Sequence, residues 1–422
     1  MERVPEIKKQ NLMSRLGEFP TGLLYIVEER LKAYGAPYVI EDTRVRPATR
    51  AEGSESMFRP GSFPDFYTEQ VDAGAAALEH GRGIIVGPTG VGKSVIIALI
   101  CDFFQVRTLI VVPKVGLKYQ LTESLKEFFG HSAVGPSVGG RCKHWITVEN
   151  IDALRGPGRP PGADLVLIDE FHHAGAATYR SLNQRTWNDV YFKLGLTATP
   201  FRSRTEERLL LESVLSKVIY RITYQQAVEK GYIVPVEAFF YRLPITKTKA
   251  QTFTGVYRDL VTENEYRNRL IAYLAGNLID NGMSTLILTK IVQHGQTIES
   301  LLANSGHHVP FAEGAKGKVN LDLIAAFNRG DVLGLTGTNG VIGEGTDTKR
   351  CEWLVLAGLG KSKNQFMQQV GRTLRKFPGK TSGKVVLFLD ESHKWTEAHF
   401  EAQCNYLLEE YGIVPTELEL PF

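Results

Sequence analysis

Gly83 to Ser94 reads GIIVGPTGVGKS, and no other stretch constrains the chain as tightly. An apolar run leads into Gly87-Pro88-Thr89-Gly90-Val91-Gly92-Lys93-Ser94, and the apolar stretch Val95 to Ile100 follows, giving strand, loop and helix in the order that G-x-x-x-x-G-K-[ST] requires. The spacing has a physical reason. Glycines let backbone N–H groups wrap phosphate oxygens at a helix N-terminus, where the dipole favours negative charge. Lys93 is expected to reach the β and γ phosphates and the Ser94 hydroxyl to hold Mg²⁺.

The same alternation continues. Branched apolar runs at Thr108 to Val112, Trp145 to Val148, Asp164 to Ile168 and Tyr191 to Leu196 are separated mostly by helical stretches. A pause around Tyr232-Ile233-Val234-Pro235 and a polar helix from Asn264 to Asn281 lead into a second series. Its strands are expected at Ser284 to Leu288, His308 to Phe311, Leu333 to Thr336, Glu352 to Ala357 and Lys384 to Leu389. This is the pattern of parallel sheets covered by helices, so the fold class is α/β with two such domains in tandem. A length of 422 residues suits two domains and a small third. Gly22 to Tyr34 reads as a helix stopped by Gly35, and the Arg-, Pro-, Gly- and Ser-rich stretch after it reads as a linker. The expected boundaries are a small N-terminal accessory unit with linker at 1–62, a first domain at 63–236 and a second at 237–422.

Composition excludes several classes. The 43% hydrophobic and 23% charged content is that of a soluble globular protein. The apolar run Val95 to Cys101 ends at Asp102, well short of the ~18 residues of a membrane span. MERVPEIKKQ has no apolar signal region, so a cytoplasmic protein without membrane association is expected, in the host cytoplasm if phage-encoded. Cys101, Cys142, Cys351 and Cys404 form no C-x-x-C pair, which argues against a zinc ribbon or a disulfide framework. A net charge of +3 is weak evidence for nucleic acid. Distribution says more. Between Lys349 and Lys384 stand Arg350, Lys361, Lys363, Arg372, Arg375, Lys376 and Lys380 against the single acid Glu352: a local basic surface, or a solvated face whose acids lie elsewhere.

Asp169-Glu170-Phe171-His172-His173 could be a metal cluster, a general-base site or the polar end of a buried strand. Adjacent side chains on a helix point ~100° apart, so His172 and His173 do not suit one ion. With a nucleotide bound nearby the stretch becomes readable. Leu165 to Ile168 is an apolar strand presenting Asp169 to Mg²⁺ through its water shell, and Glu170 to the water that attacks the γ-phosphate.

Here the residues resemble a family. Asp169-Glu170-Phe171-His172 resembles the DExH box of superfamily 2 helicases, and that family's other motifs follow in order. Gln70 resembles the adenine-reading glutamine, with Phe66 or Tyr67 for stacking. Ile110 to Gln120 resembles motif Ia and Ile146 to Asn150 motif Ib. Gly195 to Pro200 resembles motif III, Leu286 to Lys290 motif IV, Thr338 to Asp347 motif V, and Gln368 to Arg375, Q-x-x-G-R-x-x-R, motif VI. The resemblance implies two tandem RecA-like domains and use of ATP with Mg²⁺. It implies ATP contacts from Gln70, Gly87, Pro88, Thr89, Gly90, Val91, Gly92, Lys93, Ser94 and Asp347, and metal contacts from Ser94 and Asp169. Lys93, Glu170, Arg372 and Arg375 would be catalytic, the two arginines sharing one helix face and reaching across a cleft to the γ-phosphoryl charge. His172, Thr197, Thr199 and Gln368 would couple nucleotide state to motion. Pro113, Lys114, Gly139, Gly140, Thr147, Lys290 and Thr338 would touch DNA, through phosphate and sugar and therefore with salt-sensitive affinity.

Tyr224 to Pro235, Arg267-Asn268, Gln365 to Arg375, Phe19 to Leu24 and Asn405 to Leu408 together resemble the UvsW-type phage recombination helicases. That implies ATP-driven remodelling of branched or forked DNA: branch migration, fork regression and unwinding. The alternatives are an RNA helicase, a duplex-DNA translocase motor and, from another class, a non-catalytic nucleic-acid clamp switched by ATP. No protein partner is specified by the sequence.

Overall fold

The computed structural model describes residues 12–14, 17–50, 55–59, 66–138, 142–155, 162–174, 177–198, 205–314, 317–342, 348–358 and 360–421. The chain divides into two compact units, 1–86 with 94–221, and 87–93 with 222–422. Each is built on a seven-stranded sheet in which every pairing is parallel.

In the first unit the strands are β1 Arg82–Val86, β2 Thr108–Val112, β3 Val134–Gly135, β4 Ile146–Asn150, β5 Leu165–Ile168, β6 Phe192–Thr197 and β7 Val218–Arg221. Their order across the sheet is β3-β4-β2-β5-β6-β1-β7. All residues of β2, β4, β5 and β6 are buried, as a parallel sheet covered on both faces requires. One core face joins Ile84, Val86, Leu109, Val111, Val166 and Ile168 to Phe171, Tyr179, Trp187 and Leu215.

The second unit holds β8 Val236–Arg242, β9 Thr285–Thr289, β10 Phe311–Ala312, β11 Gly334–Thr338, β12 Trp353–Leu356, β13 Gly383–Leu389 and β14 Thr416–Leu418. Their order is β10-β11-β9-β12-β13-β8-β14, the order of the first sheet with seven added to each strand number. The two units are topological copies. The long polar helix spans Glu265–Asp280, with the Asn264 side chain capping its N-terminus by accepting from Arg267 N. This helix buries Arg267 and Asn268. Arg267 Nη2 donates to Ala357 O at 2.9 Å with its guanidinium 4.8 Å from the Phe388 ring centre. Asn268 donates to Thr262 O and accepts from His294 Nε2 at 2.8 Å. Burial, with Arg267 nearby, pushes the His294 imidazole down to about 3.

The sequence places the domain break after 236, whereas the second unit begins at Ile222. Its opening stretch is tied in by Val234 N donating to Leu374 O and by the Tyr224 ring packed 4.7 Å from that of Tyr411. Residues 21–58 group with the first unit. The helix Leu24–Ala33 buries none of its own residues, and Tyr25 donates to Glu212 at 2.7 Å while Arg50 pairs with Asp102 at 2.9 Å. Among the described residues no helix is long and apolar enough to cross a membrane.

Candidate active site

β5, β6 and β1 are neighbours in the first sheet, so Asp169, Thr197 and the start of the glycine loop all follow strands that end at one edge. This C-terminal edge is where open α/β sheets bind ligands.

The carboxylate pair is held by its own backbone. Asp169 N donates to Val111 O of β2, and Asp169 Oδ1 accepts from Glu170 N at 2.9 Å. Glu170 has φ +47° and ψ +52°, the left-handed region that a non-glycine residue enters at a cost of about 1–2 kcal/mol. Local strain of this sort concentrates where geometry serves a site. The turn continues into the 3-10 segment Phe171–His173, closed by His173 N donating to Glu170 O. Phe171 is fully buried, and it lies so close to Gly195 of β6 that a Cβ there would sit 2.7 Å from its ring. A glycine at 195 therefore sets how deeply the acidic turn seats on the sheet.

His172 stands between two partners: its Nδ1 lies 3.2 Å from Thr197 Oγ1 and 3.4 Å from Glu170 Oε2. Asp169, His172 and Thr197 are all buried. His173 packs its ring 4.2 Å from that of His172. The two histidines divide in contact: the hydrogen bond to the β6 hydroxyl belongs to His172.

The glycine loop fits a phosphate. Gly90 and Gly92 have φ of +99° and +79°, conformations open to glycine and strained for other residues, so the loop can turn its N–H groups inward. Lys93 opens the helix Lys93–Phe104, with Ser94 in its first turn. The donors also fit Mg²⁺, which takes one or two carboxylates and completes its shell with phosphate oxygens and water. Among the described residues no group of three or more acids, histidines or cysteines forms an all-protein metal cage. Gln70 lies in the first turn of the helix Thr68–His80 and its Oε1 accepts from Tyr67 N at 3.1 Å. Phe66 packs 5.7 Å from Phe58.

In the second unit the expected arginine helix ends early. It spans Lys363–Val370, and Arg372 and Arg375 lie in the turns beyond Gly371, not on one helix face. Gln368 is within the helix. Burial lowers the Arg375 guanidinium to about 10, still charged at neutral pH. A contact absent from the sequence reading joins Gln369 Nε2 to Asn339 Oδ1 at 2.5 Å. No spacing rule signals it, because it links two stretches thirty residues apart.

The residues expected to touch DNA divide sharply. Lys114, exposed, precedes the helix Val115–Phe129, and Pro113 follows β2 directly. Thr147 is wholly buried within β4, so it is not placed to touch a strand. Near the end of β4 the carboxylate of Glu149, itself buried, takes Lys118 at 2.8 Å and Ser137 N at 2.7 Å. Burial alone would raise the Glu149 carboxyl, but the Lys118 and Ser137 bonds outweigh it and hold the group below its usual range. Thr338 closes β11, and Lys290 follows β9 exposed. Gly139, Gly140, Thr199 and Asp347 lie outside the described residues. The basic stretch from Lys349 to Lys384 finds part of its acid elsewhere, since Lys363 pairs with Glu409 and Glu410 at 2.8 and 2.7 Å, while Lys384 takes the stretch's own Glu352.

Comparison with known proteins accords with this layout. The family model for the type III restriction enzyme res subunit matches 65–202, and that for the helicase conserved C-terminal domain matches 266–377. The ATP-dependent DNA helicase uvsW of Enterobacteria phage T4 is 25% identical over 350 residues, 78% of this chain and 69% of that one. The DNA 3'-5' translocase XPB2 of Sulfurisphaera tokodaii is 23% identical over 346 residues, 73% of this chain and 78% of that one. Among solved structures, the ATP-dependent Type ISP restriction-modification enzyme LlaBIII bound to DNA shares the fold at TM-score 0.61 and 13% identity, over 82% of this chain and 30% of that one. With both helicase domains matched in order and named ATP-dependent helicases among its relatives, the chain belongs to the superfamily 2 helicases, an ATP-using class of enzyme built on paired α/β domains.

Proposed function

We propose that this chain couples ATP hydrolysis to the remodelling of branched or forked DNA, by branch migration, fork regression and strand displacement. The observation that carries the chemical half is the acidic turn: a strained Glu170 beside Asp169, its carboxylate 3.4 Å from His172, which in turn contacts Thr197. In this reading Glu170 orients and deprotonates water, and Lys93 with the loop N–H groups cradles the phosphates. Asp169 and Ser94 would hold Mg²⁺, which supplies charge neutralisation on the phosphates when bound. Arg372 and Arg375 are assigned to charge developing on the γ-phosphoryl group, Gln70 and Asp347 to the nucleotide, and Gln368 and Thr199 to coupling. Support for DNA comes from the relatives, an ATP-dependent DNA helicase and a DNA translocase by name.

A second reading is translocation along duplex DNA without strand separation, favoured by the match of 65–202 to the restriction-enzyme model. One experiment separates them. A four-way junction, a fork, a blunt duplex and an RNA duplex are offered with ATP and Mg²⁺, and both phosphate release and product strands are followed. The proposal expects displacement on junction and fork. Turnover on blunt duplex without displacement on any branch selects the translocase, and preference for RNA overturns the DNA assignment.

A further inference from the structure

A pocket of about 530 Å³ opens at the C-terminal edge of the second sheet, and its walls come from the loops and helices that follow four strands. Phe253 follows β8, Lys290 follows β9, Lys361 follows β12, and Trp395 and His399 follow β13. The matching strands of the first unit are β1, β2, β5 and β6, which lead into the glycine loop, Pro113-Lys114, Asp169-Glu170 and the residues after Thr197. The pocket therefore occupies, in the copy, the position that holds nucleotide chemistry in the original.

Its lining differs in kind. The Phe253 ring lies 5.8 Å from Trp395 and 5.4 Å from His399, and Lys290 Nζ is 5.3 Å from the Phe253 centre. No carboxylate lines it, and neither Lys290 nor Lys361 makes an ion pair among the described residues. His399 is 6% exposed and its Nδ1 has no hydrogen-bond partner among the described residues. Burial, then the charges of Lys361 and Lys290, hold that imidazole down at about 4, so the ring is neutral at pH 7. An occupant that suits these walls is flat, with two π faces and a negative charge at one edge. A nucleobase with its phosphate has that form, and the volume lies in the ordinary small-ligand range of about 300–1,000 Å³.

We propose that this pocket holds one unpaired nucleotide of the bound strand, its base against Phe253 and Trp395 and its phosphate at Lys290 and Lys361. The inference rests on the nucleic-acid function proposed above. It adds a base contact, tolerant of sequence because every base has a π face, to contacts otherwise made to phosphate and sugar.

The test compares two strands of equal charge, an oligothymidylate about fifteen nucleotides long and an abasic strand of the same length, by anisotropy with the full chain. Wild type should bind the thymidylate roughly tenfold more tightly than the abasic strand. Trp395→Ala should shrink that preference to about twofold, and Trp395→Phe should restore most of it. Undiminished preference in Trp395→Ala overturns the pocket while leaving the function intact. Failure of any strand to stimulate ATP turnover in wild type overturns the function and the pocket with it. Photocrosslinking of wild type with a 5-iodouracil strand gives a measurement that no folding defect can confuse: the mapped peptides should contain Phe253 or Trp395, and crosslinks confined to other peptides refute the site. A parallel arm with free 5-iodo-dUMP distinguishes the source, since labelling of Trp395 by the mononucleotide and not by the strand overturns the strand assignment.

Discussion

Two sheets of identical strand order carry opposite chemistry on the same edge. In the first, β5 ends in Asp169 and Glu170 and β1 in the glycine loop, the groups to which phosphate, metal and water are assigned in the proposed function. In the second, the strands at those positions end in the buried carbonyl of Ala357, which takes the Arg267 guanidinium, and in the loop leading to Phe253. An arginine thus stands behind the edge where the first unit has acids. Topology supplies a concave ligand edge, and side chains decide what it takes.

The comparison breaks most severely at Glu170. Glu170→Gln keeps the shape of the turn and should cut steady-state phosphate release by about 10²–10⁴-fold while ATP analogue binding persists. Unchanged release would remove the general base from the first edge. Gly195→Ala tests whether the acidic turn needs its seat on β6. Displacing Phe171 should lower kcat roughly tenfold to a hundredfold and cost about 1–3 kcal/mol in unfolding free energy, read by turnover and urea titration of one preparation.

Acid should separate the units. His294 has its imidazole held at about 3 in the fold, against ~6.5 unfolded, so between those values the unfolded chain binds the extra proton. Its contribution to stability is complete above ~6.5 and is lost as pH falls. From His294 alone, going from pH 7 to pH 5 should cost the second unit up to about 2 kcal/mol, with His399 acting in the same direction, measured as a shift in urea midpoint followed by limited proteolysis and compared with His294→Asn. A midpoint that does not move would show that His294 is not buried neutral. The smallest effect is at Thr147, where Thr147→Val should leave strand affinity within about twofold and change stability by no more than ~1 kcal/mol, because the side chain is wholly buried. A large loss of affinity there would restore it to the DNA surface.

The alternation of apolar runs located the central strands to within a residue or two, since β2, β5 and β9 are continuous buried segments. It missed β8, where Pro235 and the mixed burial of Val236–Arg242 break the run, and β3, β7 and β14, each of two to four residues at or near a sheet margin. Motif spacing brought Asp169, Glu170, His172 and Thr197 to one place. It misjudged Thr147, since a strand pattern does not say which hydroxyls reach the surface, and Arg372 with Arg375, because Gly371 ends the helix before them. The aromatic pocket was illegible for another reason. Its residues span Phe253 to His399, and only the sheet order brings them together.

That shared order also bears on how the chain reaches its native state. With every strand pairing parallel, no two paired strands can be joined by a tight hairpin, and each register waits on a long crossover connection. Contacts of such high sequence separation form slowly, and the unpaired edges stay exposed meanwhile. Refolding from denaturant is therefore expected to be slow and sensitive to protein concentration, while each unit's native sheet, once closed over by helices, is protected from exchange.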